Sequence, residues 1–388
     1  MKRIFTSGII LIALIAAFCC FALPAAAQED TEEITPEQLY EEQIKASGAG
    51  ELDEALPEEY SEIIWDMGIE ADDPTSITDV SIGSVFSSLL NAVLDKAAAP
   101  IKSAAAIIAA VILCALCSGA ATESANKQIS VIFTYVSALV VGVIVIKPIT
   151  ELALSSIDAI KTCSAFMAAF IPVFAGILIA SGRAASAASA QTVLFTATQL
   201  AGQAASVVIG PFISLYFGMA VTSSLAEEAR LNGICETVKK AAMWILGLIM
   251  TVFTAFLTIQ NVINGAADSV TSRAAKFAAG TFVPVVGTYI SESLSTVQSC
   301  LSLVKSGVGM YAVLAMLIII VPHIIALLFW KLSVECGAAA ADMFSLTKIT
   351  GLLKAVSSGI SLLIALIVCC GVLFIVCTGI TVLTAGGV

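Results

Sequence analysis

"FIPVFAGILIASG" (residues 170–182) places Pro172 in a stretch otherwise fit to cross a lipid bilayer. "FVPVVGTYISES" (282–293) places Pro284 in the same setting, 112 positions later. Proline removes one backbone donor and obstructs the bond to the preceding turn. Inside a span it is tolerated where a neighbouring helix or water satisfies the freed carbonyl. Each proline therefore has two readings: a kink in a packed helix, or a broken or re-entrant element lining a polar path.

The surrounding sequence is made for lipid. Hydrophobic residues are 59% of the chain and charged residues only 12%, against about 25% charged in soluble domains. Uncharged runs cover 103–122, 128–146, 162–182, 241–267 and 306–330, and no charge follows Lys354. Each run is close to the roughly 20 apolar residues that one crossing needs. The run 184–226 is longer but opens with the small and polar "AASAASAQ", so one crossing is expected near 192–220. The expected fold class is all-α: a polytopic α-helical membrane protein with about 7–8 transmembrane helices.

Charge is segregated. Seventeen of the 29 acids lie between Glu29 and Asp73, with Lys45 the one base among them. That segment carries −16 of the net −11, leaving the rest of the chain at +5. Nucleic-acid binding, which wants a basic stripe, is not indicated. The first 27 residues have a basic start (Lys2, Arg3), an apolar centre and a small-residue site at Ala25-Ala26-Ala27. They read as a secretory signal cut after Ala27, with Ala25 and Ala27 as the cleavage determinants. An uncleaved first span is the rival. A lipoprotein reading fails because Phe18 precedes Cys19. Residues 28–78 then form an acidic arm that begins outside the cytoplasm.

Within the arm, Thr35, Pro36 and Gln38 make a capping-box helix start that Gly48 and Gly50 stop; a second start at Pro57 runs to Gly68. Their apolar cover is thin, so such helices are marginal alone. The arm reads either as a solvated, partly disordered segment or as a docking surface. Residues 79–100 hold an amphipathic helix: Ile82, Val85, Phe86, Leu89, Leu90, Val93 and Leu94 fall on one stripe. It is expected at the membrane surface or against the bundle. Pro100 turns the chain into the membrane domain, 101–388. In "ESLSTVQSCLSLVK" (292–305), Leu294, Val297, Leu301 and Val304 share one face.

Three anchors recur. Pro172 pairs with Pro284, Pro211 with Pro322 and Lys240 with Lys354, at intervals of 111–114. Identity between the anchors is poor. Duplication, with repeats at about 131–242 and 243–354, and coincidence in an Ala/Val/Ile-rich chain both fit. A duplicated membrane body is one way to build a transport path.

Enzyme chemistry finds little footing. The one histidine, His323, excludes a His-x-x-x-His metal pair, and no Gly-x-x-x-x-Gly-Lys-(Ser/Thr) loop is present. The sequence points to no cofactor. Any ATP-driven work falls to a partner. Cys114 and Cys117 form Cys-x-x-Cys within a span, where thiols serve as small packing groups. His323 is the one ionisable group well inside a span, and such groups are functional candidates by default; the plainer reading is a ring bonded to a helix carbonyl. Gln199 and Gln203, four residues apart on one helix face, either glue helices together or line a path. Basic residues occur in nearly every loop, so the signal is the better guide to orientation. Seven crossings put the C-terminus in the cytoplasm, eight outside.

The secretory signal, the acidic arm with "LPEEYSEIIWDMGI" (56–69), the amphipathic helix and the paired "FIPV" and "FVPVVG" segments together resemble the stage III sporulation protein AE family. The likeness covers nearly the whole chain after the signal. It implies a subunit of the sporulation channel of endospore-forming bacteria, in the mother-cell membrane around the forespore. Its implied partners are the other stage III channel proteins, a separate ATPase among them, and membrane lipid. The implied role is a non-enzymatic platform or gate, and no catalytic residues carry over. The alternative is a stand-alone secondary transporter of a small solute.

Overall fold

A computed structural model describes residues 36–71, 73, 99–117, 119, 127–203, 215–219, scattered positions from 222 to 263, and 287–384. The signal region, the amphipathic stretch 82–95, Pro211 and Pro284 lie outside the described residues. Among the described residues every named element is a helix, and the one bridge is an isolated pair, Glu70 with Asp73.

The arm folds as its punctuation predicts. Helix α1 (Pro36–Ser47) ends at Gly48, which takes φ 73°. A short α2 (Glu51–Glu54) follows, and α3 (Glu58–Asp66) starts after Pro57. Gly68, at φ 71°, closes α3: its N–H bonds to Trp65 O and the Ile69 N–H to Ile64 O. This left-handed close satisfies two orphan carbonyls and favours glycine. Unlike a freely solvated arm, these helices bury Leu52, Tyr60, Ile64 and Ile69 in the same core as the bundle. α2 packs on the long helix α5 (Lys127–Ala180), and α3 on α7 (Gly287–Met343). Each fully buried Leu or Ile is worth about 1.5–3 kcal/mol, which offsets the weakness of such helices in isolation.

Four helices among the described residues are long and apolar enough to cross a membrane: α4 (Ala99–Cys117), most of α5, most of α7, and α8 (Thr347–Thr384). The count of 7–8 crossings and the duplication are not established by this architecture. The two crossings expected at 128–146 and 162–182 are joined in one 54-residue helix. At 1.5 Å per residue α5 is about 81 Å long, far beyond a hydrocarbon thickness of about 30 Å. The bases that bound those two runs, Lys147 and Lys161, lie on exposed helix positions, as do Glu151 and Asp158 between them, and Lys161 pairs with Asp158 at 3.6 Å. The segment 149–165 contains no glycine or proline, so nothing in it stops a helix. Pro148 removes only one bond and is carried inside α5.

Helix α6 (Ala184–Gln203) also departs from expectation: it starts at the small-residue stretch rather than near 192. Its Ala187, Ala190 and Ala197 are buried among larger apolar groups, so small size here permits close approach to α5. Gly182, at φ 75°, makes the α5–α6 turn by the same left-handed close as Gly68.

Contacts fix the register. α5 and α8 run parallel: Lys348 Nζ sits 3.4 Å from the Tyr135 ring centroid, and Thr378 Oγ1 lies 3.9 Å from Met167 Sδ. α7 runs antiparallel to α8, with Glu335 at Ser357 and Ile320 against Gly371. α4 docks on α7, where Ser333 Oγ donates to Pro100 O at 3.0 Å and Ile107 rests on Gly337. The bundle thus has two ends. One carries the 181–183 turn, Lys305 and the close of α8, and the arm lies toward it. The other carries the α7–α8 tip at 344–346.

That tip holds a non-glycine in the left-handed region. Ser345 has φ 58°, and its N–H bonds to Asp342 O while Leu346 N–H bonds to Ala341 O. A side chain there costs about 1–2 kcal/mol, partly recovered in the more flexible unfolded chain when glycine replaces it. Ser345→Gly is predicted to raise the thermal midpoint in detergent, by the equivalent of up to about 1 kcal/mol. A lowered midpoint would show that the turn is not as described.

Candidate functional site

Among the described residues, the path-lining candidates singled out from the sequence lie on three different helices. Pro172 is exposed on α5, and Pro322 is buried inside α7. His323 is half-buried beside it, its Nδ1 2.8 Å from Ile319 O on its own helix. A carbonyl only accepts, so Nδ1 carries the proton and donates. Pro322 frees the carbonyl of Ile318, four residues earlier, so the ring does not fill that gap. Gln199 and Gln203 lie exposed on one face of α6, with Thr192 and Thr196. The two threonines satisfy themselves on carbonyls four residues earlier, at Ala188 and Thr192. Of the Cys-x-x-Cys pair, Cys114 is buried with Sγ 4.0 Å from Ser137 O, and Cys117 is exposed.

The polar groups brought together across the bundle are others. Tyr311, fully buried on α7, donates its hydroxyl to Asp53 Oδ1 of α2. The other Asp53 oxygen accepts from Ala71 N–H at 3.2 Å. One carboxylate thereby joins α2, the segment after α3, and a bundle helix. These residues are 258 positions apart, and nothing local in the sequence marks them. Phe166 of α5 flanks the Tyr311 ring at 6.4 Å between centroids. At the opposite end, Ser357 Oγ donates to Glu335 Oε1 at 2.9 Å, and Lys331 lies 3.8 Å from the same oxygen. That cluster holds the α7–α8 pair in register.

Tyr60 gives the arm a pH dependence. Burial, with the Glu59 carboxylate and Cys163 adding to it, pushes its phenol up from 10.0 to about 12. The folded state then holds the proton more tightly than the unfolded chain. Its contribution is complete below pH 10.0 and is withdrawn as pH rises through about 12. Trp65 emission, followed with Trp244 and Trp330 replaced by Phe, should report arm release across that window. Tyr60→Phe should shift release to higher pH; an unchanged profile would show that Tyr60 is not the group.

The features here are those of a helical membrane body with a docked acidic arm, and comparison with known proteins gives that body a family. The model of the family described as stage III sporulation protein AE matches residues 74–385. The chain belongs to the stage III sporulation protein AE family. A curated relative, stage III sporulation protein AE of Bacillus subtilis (strain 168), is 29% identical over 156 residues. That match covers 40% of this chain and 39% of the relative, so it spans about two fifths of each. No solved structure matches. The family match begins at Asp73's neighbour, Pro74, so the docked arm helices lie before the matched region.

Proposed function

We propose that this protein is a multi-pass membrane subunit of the sporulation channel that links mother cell and forespore, acting as a platform or gate without chemistry of its own. Family membership carries the reading. The absence of a P-loop motif from the sequence leaves any ATP hydrolysis to a separate partner, and other stage III channel proteins and membrane lipid are its expected company. The role sits in the mother-cell membrane around the forespore.

Two features support an orientation. The expected signal sequence favours an arm outside the cytoplasm, and the arm lies toward the 181–183 end of the bundle. The opposite end is the more basic: Lys331, Lys348 and Lys354 lie near the α7–α8 tip, against Arg183 and Lys305 at the arm's end. Basic residues favour the cytoplasmic face, so the tip faces the cytoplasm and α8 ends on the arm's side.

A clean deletion is expected to arrest spores after engulfment, and a tagged protein from sporulating cells should co-purify with other stage III channel proteins. Normal sporulation in the deletion strain would reject the proposal. Single cysteines at Ser345 and at Gly387 test orientation: membrane-impermeant reagent added outside protoplasts should label Gly387→Cys and spare Ser345→Cys. The stand-alone transporter reading is not favoured, since His323 bonds to its own helix and Gln199 and Gln203 lie exposed on a different helix, α6.

A further inference from the structure

Helix α5 carries charge at a depth where α7 and α8 carry none. The uncharged run of α7, 306–330, is about 37 Å long at 1.5 Å per residue, enough for one crossing of about 30 Å. Near its middle, Ile320 rests against Gly371 of α8. α5 is tied to α8 at three levels: Tyr135 with Lys348, Gly142 with Leu352 and Met167 with Thr378. The separation in sequence is nearly the same at all three, so the two helices keep one register. Asp158 and Lys161 therefore fall level with the turn of α8 that holds Gly371, in the middle of the apolar band. Their side chains are 72% and 55% exposed. Charged groups at mid-bilayer are costly against lipid tails and face protein or water instead.

Lys147, Glu151, Asp158 and Lys161 form one exposed stripe along α5, since steps of three, four and seven return to the same helix face. The stripe continues through the exposed small residues Ala165, Ala168 and Gly176, where another helix can come close. Two bases and two acids leave the charged part neutral as a whole, so it matches a partner of the same mixed sign. The uncharged runs 204–226 and 241–267 of this chain have no charge to offer. A second copy does, and copies inserted alike stand parallel in the membrane. Two parallel stripes side by side set Asp158 of one copy within a turn of Lys161 of the other, and Glu151 within a turn of Lys147. We infer that this stripe of α5 is the contact between two copies of the protein inside the membrane.

Self-association on this face depends on the membrane placement of the bundle and not on the sporulation role, so either can fail alone. Donor- and acceptor-tagged full chains, reconstituted together in phosphatidylcholine liposomes, report it by energy transfer as the protein-to-lipid ratio is varied. Saturable transfer is expected. Asp158→Lys leaves three bases against one acid on the stripe and should raise the half-saturating ratio about tenfold or more, because like charges brought together repel. Asp158→Lys combined with Lys161→Asp keeps both signs and should restore association. Should Asp158→Lys fail to insert and fold, Ala168→Trp on the same exposed stripe blocks close approach by bulk, with the same expected weakening. Absence of transfer at every ratio overturns the proposal and leaves the stripe to water or to another protein. Transfer that none of these variants weakens also overturns it, since the copies then meet elsewhere.

Discussion

Tyr311→Phe is expected to release the arm from the bundle. The hydroxyl it removes is the one donor that α7 gives to Asp53. Without it that carboxylate keeps only the Ala71 N–H and remains against a buried aromatic. Leaving a buried polar group short of a partner costs about 1–3 kcal/mol. Docking of α2 and α3 otherwise rests on a few apolar side chains, Leu52, Tyr60 and Ile64 among them, so the loss falls on an element with little in reserve. Limited proteolysis measures it. Cleavage between Ser47 and Pro57 should accelerate about tenfold or more, since 1.4 kcal/mol is a factor of ten in an opening equilibrium. Asp53→Asn keeps an acceptor for the hydroxyl and should have the smaller effect. The double variant should add little to Tyr311→Phe, because both changes act on one bond. Unchanged cleavage in Tyr311→Phe would mean the arm is not held there.

Gly359→Ala is expected to be the most damaging one-carbon change in α8. A methyl at this position would sit 2.7 Å from Phe217 Cε1 and 2.9 Å from its Cζ, with Tyr216 Cε1 at 3.0 Å. Aromatic rings do not yield as a flexible side-chain tip does. The same two residues are fastened to α8 by the Tyr216 hydroxyl, which donates to Ala355 O at 3.2 Å. Overpacking of this kind costs about 1–3 kcal/mol, either by displacing 215–219 or by bending α8. The thermal midpoint in detergent should fall, and Phe217→Ala in the same chain should restore part of it. Equal stability of Gly359→Ala and the parent would remove the close contact from the fold.

Both predictions concern contacts that bind distant parts of the chain, and they divide what was legible from what was not. The arm's helix bounds were legible: Pro36, Gly48, Pro57 and Gly68 act through local φ and through missing or left-handed backbone bonds, whose reach is a single turn. The apolar face of "ESLSTVQSCLSLVK" was legible in part, since Leu301 and Val304 are indeed buried. Span boundaries were less so. Charges at 147–161 looked like a connection, yet a helix can carry charges on an exposed face without ending. The small residues of 184–190 looked too polar for a span, yet their size is what lets α6 lie close on α5.

The candidate polar sites show the same division. His323, Gln199 and Gln203 stand out in sequence because they are polar in an apolar run, and each was visible without a structure. Asp53 was one acid among seventeen in the arm, and Lys305 one lysine at the edge of an apolar stretch. The distinction of Asp53 comes from the Tyr311 hydroxyl it meets, that of Lys305 from its burial.

By itself, then, the sequence determined the solvent and the class: too few charges for water, enough uncharged length for a helical membrane body, and an acidic lead segment set apart from it. Those properties depend on composition and on spacings within one helix, which a linear chain carries whole. Only the tertiary structure decided that the arm docks, that two apolar runs share one helix, and which acid of the arm meets a buried tyrosine. Each of those depends on what a residue meets from another element, and no local pattern encodes that encounter.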